Sequence, residues 1–355
     1  NSIRCRANHE RTLAMATSAI LLVGGMGTRM QPLTFTTPKP MLKVAGIPFT
    51  EHQIVKAREA GIEEIVLATS YMSEIFEPYF GDGKLFGIKI SYAVEETALG
   101  TGGAIRNAAE KLQGSGPVVI FNGDVLSSHE LREQIVFHSE KQADVTLYLT
   151  EVPDARAFGV VELDADKRIL SFNEKMENPP TNMINAGCYI FNRKIIESIP
   201  SGRVVSVERE TFPGLLSSGG RLFGFVDSGY WLDIGNPGAL LKATRDLISG
   251  EATSPALSLA LKDGKFNRAS DQMMKAGGVV IDEPSTQDSG TYVGEAVFVG
   301  SESTLRNCIV GDGAVIGEKA LLINTFVAPG FHVPPATIGE NLFLGFARPA
   351  NQFEN

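Results

Sequence analysis

The chain has 355 residues, more than one hydrophobic core usually organises, so two domains are expected. With 43% hydrophobic and 21% charged residues it has the composition of a globular protein, not of a disordered chain. A net charge of -9 argues against a face for nucleic acid or an anionic membrane, and any positive charge offered to a phosphate must be local. The cysteines, Cys5, Cys188 and Cys308, form no CxxC pair, so no disulfide framework is expected. His9, His52, His129, His138 and His332 show no HExxH or other zinc-site spacing. Residues 1–14 lack an apolar h-region and read as a tail before Met15 rather than a secretory signal.

In chain order, the tail extends to residue 17, and the first element is an apolar run, 19–23, expected as a buried strand. It breaks into Gly24, Gly25 and Gly27, whose backbone N–H groups can approach a polyphosphate without an intervening Cβ. Thr28, Arg29 and Lys39 follow, and Lys39 stands between Pro38 and Pro40, which stiffen its backbone. Two cations beside bare backbone donors suit a phosphorus centre that gains charge during transfer. Gly27 leads into Thr28 and Arg29 rather than Lys and Ser/Thr, which excludes a Walker A loop. Met30 stands where the dinucleotide fingerprint, counted from Gly25, needs its third glycine. Taken alone, three glycines also build an ordinary tight turn, and each cation is also an ordinary surface charge.

Further strands are expected at 64–68, 89–93, 118–121 and 144–150, with helices such as 51–60 and 104–112 between them. This alternation predicts an α/β domain over 18–245 with a largely parallel sheet. Its ligands bind beyond the carboxyl ends of the strands, where the Gly24 loop and Asp124 would lie. Residues 246–290 are irregular and rich in turn formers, and read as a linker. Apolar residues then recur at Val293, Val299, Leu305, Val310, Ile316, Leu322, Val327, Val333 and Ile338, in steps of 6, 6, 5, 6, 6, 5, 6 and 5. Three steps sum to 17, so Val293, Val310 and Val327 should stack, as should Val299, Ile316 and Val333. Such a coil with three faces predicts a short parallel β-helix over 291–345, turning at Gly294, Gly300, Gly311, Gly317 and Gly339, with a tail at 346–355. A solenoid this short leaves apolar ends, which predicts packing against the first domain or another subunit.

The segment GGMGTRMQPLTFTTPKPML resembles the signature of the sugar nucleotidyltransferases, enzymes that join a sugar 1-phosphate to a nucleoside triphosphate and release pyrophosphate. ETALGTGGAI, FNGDVL, FGVVELD, FNEKMENP, INAGCYIF and YWLDIGNP continue the resemblance, in the family's order, over roughly positions 18 to 245. Among subfamilies the phrasing is most similar to mannose-1-phosphate guanylyltransferases. The resemblance implies a Rossmann-like nucleotidyltransferase domain with a mixed, mostly parallel sheet, then a left-handed β-helix used for oligomer contacts or regulation. It also implies a cytoplasmic homo-oligomer whose substrates are GTP and mannose 1-phosphate, with no nucleic-acid or membrane partner.

In that reaction the nucleophile is already anionic, so no general base is needed. The protein must position two anions and stabilise the spreading charge. Arg29 and Lys39 are the expected catalytic cations. Leu22, Gly24, Gly25, Gly27, Thr28, Gly100, Thr101 and Gly123 are expected around the nucleotide, and Glu95 is the candidate reader of guanine's paired N–H donors. Asp124, at the end of an apolar strand, and Asp233 are the carboxylates expected to hold Mg²⁺. Either alone is also an ordinary turn or cap residue. By resemblance, Lys175 meets the sugar phosphate, Glu174 and Asn185 bond sugar hydroxyls, and Gly159 and Gly187 offer backbone. Glu208 and Glu210 are weaker candidates. Two rival readings stay open: a uridylyl-, thymidylyl- or adenylyltransferase acting on glucose 1-phosphate, and a noncatalytic regulatory homologue that senses a sugar nucleotide.

Overall fold

The computed structural model describes residues 17–70 and 72–347. Met15, Cys5, His9 and the segment 348–355 lie outside the described residues. The chain divides into two compact units, one built from residues up to Gly25, Gln53–Val125 and His129–Trp231, the other from Met26–His52, Leu126–Ser128 and residues from Leu232 onward.

A nine-stranded sheet forms the first unit. Its strands in chain order are β1 (Thr17–Leu22), β2 (Ile62–Thr69), β3 (Lys89–Val94), β4 (Val118–Asn122), β5 (Val145–Glu151), β6 (Gly159–Leu163), β7 (Ile169–Glu174), β8 (Met183–Phe191) and β9 (Leu222–Val226). Each of the five strands expected from the apolar runs is present. The central ones are covered on both faces, as near-continuous apolar runs require: Ala19, Ile20, Leu21, Val118, Val119 and Ile120 are all fully buried. Strands β4, β1, β2 and β3 run parallel, with Leu22 opposite Asn122 on one side and Ala68 on the other. The sheet then turns mixed, because β8 lies antiparallel to β4 and β5, and β6 and β7 pair antiparallel. Helices α1 (Phe49–Glu59) and α2 (Gly100–Ala109) begin a few residues before the expected positions 51 and 104.

The register of β8 slips between Asn185 and Tyr189, where Gly187 takes a φ of 77°. A bulge re-aims the side chains on either side of it. Here it separates the sugar-site candidate Asn185 from the buried core residues Tyr189 and Phe191.

In the second unit, three parallel ladders stack short strands into coils. Val293, Val310, Val327 and Leu344 align on one ladder, and Val299, Ile316 and Val333 on the next, in the expected order. The third ladder corrects the reading of Ile338: Leu322 pairs with Gly339, and Ile338 is 77% exposed. From Val293 onward the repeat is a strict 17, and an apolar residue one position before the inward site imitates it.

The role of the glycines also differs from the expected one. Gly294, Gly300, Gly311 and Gly317 do not take positive φ; a Cβ on any of them would lie 2.4 to 2.8 Å from a backbone nitrogen of the next coil. They let coils stack. The corners are made instead by left-handed residues spaced 17 apart: Ala296, Gly313 and Gly330; Glu302, Lys319 and Ala336; Asn307, Asn324 and Asn341. Asparagine tolerates that conformation, and Asn307 Nδ2 also donates to Asn324 Oδ1 at 2.7 Å.

The ladders start earlier than residue 291. Ile281 stacks under Val299, and Gln287 under Leu305, both 18 residues before their partners. Within the stretch read as a linker, helix Pro255–Lys262 and strand Phe266–Ser270 precede this coil, and Met273–Ala276, the hairpin partner of that strand, opens it by pairing with Thr291–Val293. The same unit packs the chain after the glycine loop onto the coils. Lys43 Nζ donates to Asp312 at 2.5 Å, and a Cβ on Gly46 would lie 2.6 Å from the Tyr292 ring.

Candidate active site

In the first unit, the parallel pairing of β1 with β4 brings two chain turns to the carboxyl edge of the sheet. After β1 the chain leaves through Gly24 and Gly25, the latter at φ 109°. Gly25 N donates to Ser70 Oγ at 3.3 Å, and a Cβ on Gly24 would lie 2.9 Å from that hydroxyl. After β4 it turns through Gly123 and Asp124 into the short strand Val125–Ser127. Gly123 N donates to Leu22 O at 2.9 Å, and a Cβ on Gly123 would lie 2.1 Å from that oxygen. Only glycine fits, which accounts for the FNGDVL motif. Asp124, half-buried, is thereby held at the edge of the sheet.

Further along that edge the sugar candidates form one polar cluster. Asn185 Nδ2 donates to Tyr189 Oη at 2.8 Å, while its Oδ1 accepts from Gly187 N at 3.2 Å. A Cβ on Gly187 would lie 3.1 Å from Asn122 Nδ2, and one on Gly159 would lie 2.9 Å from Glu174 Oε2. Lys175 is exposed and adopts φ 51°, a left-handed conformation unusual for lysine, with its N–H on Phe158 O. Burial raises the Glu174 carboxyl above its ordinary range, and the nearby charge of Glu208 adds to this against Lys175 and Arg209. Glu208 is therefore part of the cluster. Its Oε2 accepts from Thr101 Oγ1 at 2.8 Å and Ser206 Oγ at 2.7 Å. Glu210, by contrast, points away to Arg203 at 3.0 Å.

The loop expected to read the base is built differently from its motif. Half-buried Glu95 accepts from Leu99 N at 3.1 Å and so closes its own loop; burial raises its carboxyl above the ordinary range despite that bond. Glycines 100, 102 and 103 face the segment 203–205, where a Cβ on Gly100 would lie 2.6 Å from Val205 O. Thr101 Oγ1 accepts from Val207 N at 2.9 Å as well as donating to Glu208. These positions serve close packing at the start of α2.

Sequence reasoning missed a second buried cluster in this unit. Lys56 Nζ lies 3.0 Å from His129 Nδ1, and His129 Nε2 lies 3.1 Å from Gln134 Oε1. Burial pushes the Lys56 ammonium down to about 8 and holds His129 neutral. Nothing local in the sequence marks these residues, which stand on separate elements.

In the second unit Gly27 takes the left-handed conformation at φ 58°, and a Cβ there would lie 2.9 Å from Lys39 Cβ. Thr34 Oγ1 donates to Gly27 O at 3.0 Å and closes the loop. Lys39 opens the 3-10 turn Lys39–Met41 between extended Pro38 and buried Pro40, so its backbone is stiff as expected. Thr28 and Arg29 are exposed. Asp233 ends the strand Trp231–Asp233, which pairs with Val125–Ser127. A Cβ on Gly235 would lie 3.3 Å from both Arg29 Nη1 and Asp233 Oδ2, so this glycine leaves a guanidinium and a carboxylate adjacent.

A helix-covered, parallel-centred sheet whose carboxyl edge carries a glycine loop, the Asp124 carboxylate and a cluster of polar side chains is the arrangement of an α/β enzyme. The chain belongs to the nucleotidyl transferase family, whose family model matches residues 18–250. It is 45% identical over 296 residues to the mannose-1-phosphate guanylyltransferase of Mycobacterium tuberculosis, covering 83% of this chain and 80% of that protein. Mannose-1-phosphate guanylyltransferase 1 of Arabidopsis thaliana is 33% identical, with 91% of this chain and 87% of that protein covered. Among solved structures, HddC from Yersinia pseudotuberculosis complexed with GMP-PN superposes with a TM-score of 0.55 at 30% identity, over 64% of this chain and 97% of that one.

Nucleotidyltransferases of this family generally use a divalent metal. Among the described residues no group of three or more His, Cys, Asp or Glu gathers as a metal site. A hard, oxygen-seeking cation takes carboxylate oxygens, and Asp124 in the first unit and Asp233 in the second each carry that type of donor. Among the described residues no helix is long and apolar enough to cross a membrane.

Proposed function

We propose that this protein transfers GMP from GTP to mannose 1-phosphate, forming GDP-mannose and pyrophosphate. The observation that carries the reading is the 45% identity, over 83% of the chain, to a mannose-1-phosphate guanylyltransferase. An oxygen of the sugar phosphate attacks the α-phosphorus of GTP. The bond from that phosphorus to the β-phosphate's bridging oxygen breaks, and its electron pair leaves with pyrophosphate. No proton moves, which matches a set of residues chosen for binding and charge rather than for acid–base work.

In this reading the backbone at Leu22, Gly24, Gly25, Gly27, Thr28 and Gly123 cradles the triphosphate, while Arg29 and Lys39 offset the charge that develops. Gly100 and Thr101 shape the nucleotide side, and Glu95 accepts from the guanine edge. Glu174 and Asn185 take sugar hydroxyls, Lys175 the sugar phosphate, and Gly159 and Gly187 let the sugar approach the backbone. Mg²⁺, when bound, would supply charge neutralisation between the two phosphates, and Asp124 and Asp233 would hold it. Residues 18–245 are the catalytic part, and the coils that begin at Met273 and continue to 345 are the β-helix, through which copies of the chain form a homo-oligomer. Its location is cytoplasmic, where such charged substrates are found.

Pyrophosphate release over a grid of GTP, UTP, dTTP and ATP against mannose 1-phosphate and glucose 1-phosphate tests the reading. GTP with mannose 1-phosphate should give the highest kcat/KM. A higher value for another pair would assign a different base or sugar, and no release from any pair would favour a sensor.

A further inference from the structure

The turn that carries Asp124 is held from outside by a residue on another element. Gln53, on α1, is only 6% exposed. Its Nε2 donates to Asn122 O at 2.7 Å and to Val125 O at 3.2 Å, the two carbonyls that bracket Gly123 and Asp124. The amide orientation is fixed, because the flipped form would set Oε1 against two carbonyl oxygens. Gln53 Oε1 takes no hydrogen bond from the protein, so the side chain grips the turn through its NH₂ alone. With Gly123 N on Leu22 O, the turn is pinned at three backbone points.

We propose that Gln53 is a positioning residue for Asp124: its amide spans the turn and fixes where the Asp124 carboxylate meets the divalent cation. The inference rests on the reading of Asp124 as a metal ligand. A buried amide is costly to keep unless its bonds matter, and an apolar residue would fill this place on α1 with less desolvation. Groups that orient a metal ligand typically change metal affinity or activity about 10–100-fold when lost.

The test uses the full chain with Mn²⁺ as the probe in the presence of GTP, counting free Mn²⁺ by electron paramagnetic resonance. Gln53→Met keeps the length and removes both bonds; Gln53→Glu keeps the shape and turns the donor into a repelling acceptor. Both should weaken Mn²⁺ binding by about 10-fold. In the metal-free protein both should also speed deuterium uptake over 118–128 but not over 62–69. Asp124→Asn is the reference. If it weakens Mn²⁺ binding while neither Gln53 variant does, the positioning role is overturned and the metal reading stands. If Asp124→Asn leaves Mn²⁺ binding unchanged, the metal reading falls and takes this inference with it.

Discussion

Replacing Gly123 by alanine probes the joint on which the carboxyl edge of the sheet depends. The added Cβ would lie 2.1 Å from Leu22 O and 3.1 Å from Leu22 C. A relaxed carbon–oxygen contact is about 3.3 Å, so turn and strand would have to separate by about 1.2 Å. Neither side yields easily, since the obstacle is backbone and the adjoining β1 and β4 residues Leu21, Val119 and Ile120 are fully buried. Overpacking of this kind costs about 1–3 kcal/mol. Stretching the Gly123 N–H from Leu22 O adds roughly 1–2 kcal/mol for an unsatisfied buried pair. A total of about 2–5 kcal/mol lowers the melting temperature of a domain this size by roughly 5–15 °C. Gly214→Ala is the matched control. It lies in helix Phe212–Ser217 with nothing within 4 Å of the added atom, and should stabilise by about 0.5–1 kcal/mol. Thermal unfolding followed by circular dichroism reads both. If Gly123→Ala melts together with Gly214→Ala, the claim that only glycine fits this turn is wrong.

Two further outcomes follow from the same geometry. Arg29→Ala should lower turnover by about 10³-fold with GTP and mannose 1-phosphate, and Arg29→Lys should not restore it, because a point charge does not replace a planar fork. Its side chain is exposed, so the melting temperature should hold, and near-normal turnover would remove Arg29 from the chemistry. The pH dependence of stability comes from buried histidines. Burial pushes His52 and His138 down to about 4 and His129 well below its ordinary value. In the unfolded chain each titrates near about 6.5, so the unfolded state binds protons that the folded state refuses. Stability is therefore complete above that pH and falls as the pH drops toward 4, by about 3 kcal/mol for His52 alone. Denaturant midpoints between pH 7 and 4 should decline, and less steeply in His52→Gln. A flat profile in the parent protein would contradict neutral burial.

What was legible in the chain was what local pattern determines. The runs at 19–23 and 118–121 announced buried parallel strands because both faces of those strands are covered. Strand ends then located Gly24 and Asp124, since turn chemistry is written next to the strand it ends. Gln53 and Lys56 were not legible, and Glu208 was so only as a weaker candidate: each acts on residues far along the chain, and an isolated Gln, Glu or Lys on a helix carries no mark of its partner. The ETALGTGG motif hides a distant partner in the same way, because its glycines also answer to a packing demand from far along the chain. There Gly100, Gly102 and Gly103 prove to lie against the 203–205 segment.

The β-helix shows how a correct period can coexist with a wrong physical reason. Steps of 6, 6 and 5 located the ladders, and glycines at fixed offsets were read as turn formers, because glycine's usual use is positive φ. In the structure the corners fall to Asn307, Asn324, Glu302 and Lys319, while Gly294, Gly300, Gly311 and Gly317 sit where the next coil's backbone passes. Both arrangements produce the same spacing of glycines along the chain, so periodicity alone could not separate them. The coil before residue 291 escaped for a related reason: its pairing runs at 18 residues, and Gln287 stands where the later coils place Leu305 and Leu322. A ladder can absorb one extra residue and a polar inward side chain because each coil needs only its neighbour's backbone to pair with. A search for apolar recurrence therefore finds the regular middle of a solenoid before it finds its first coil.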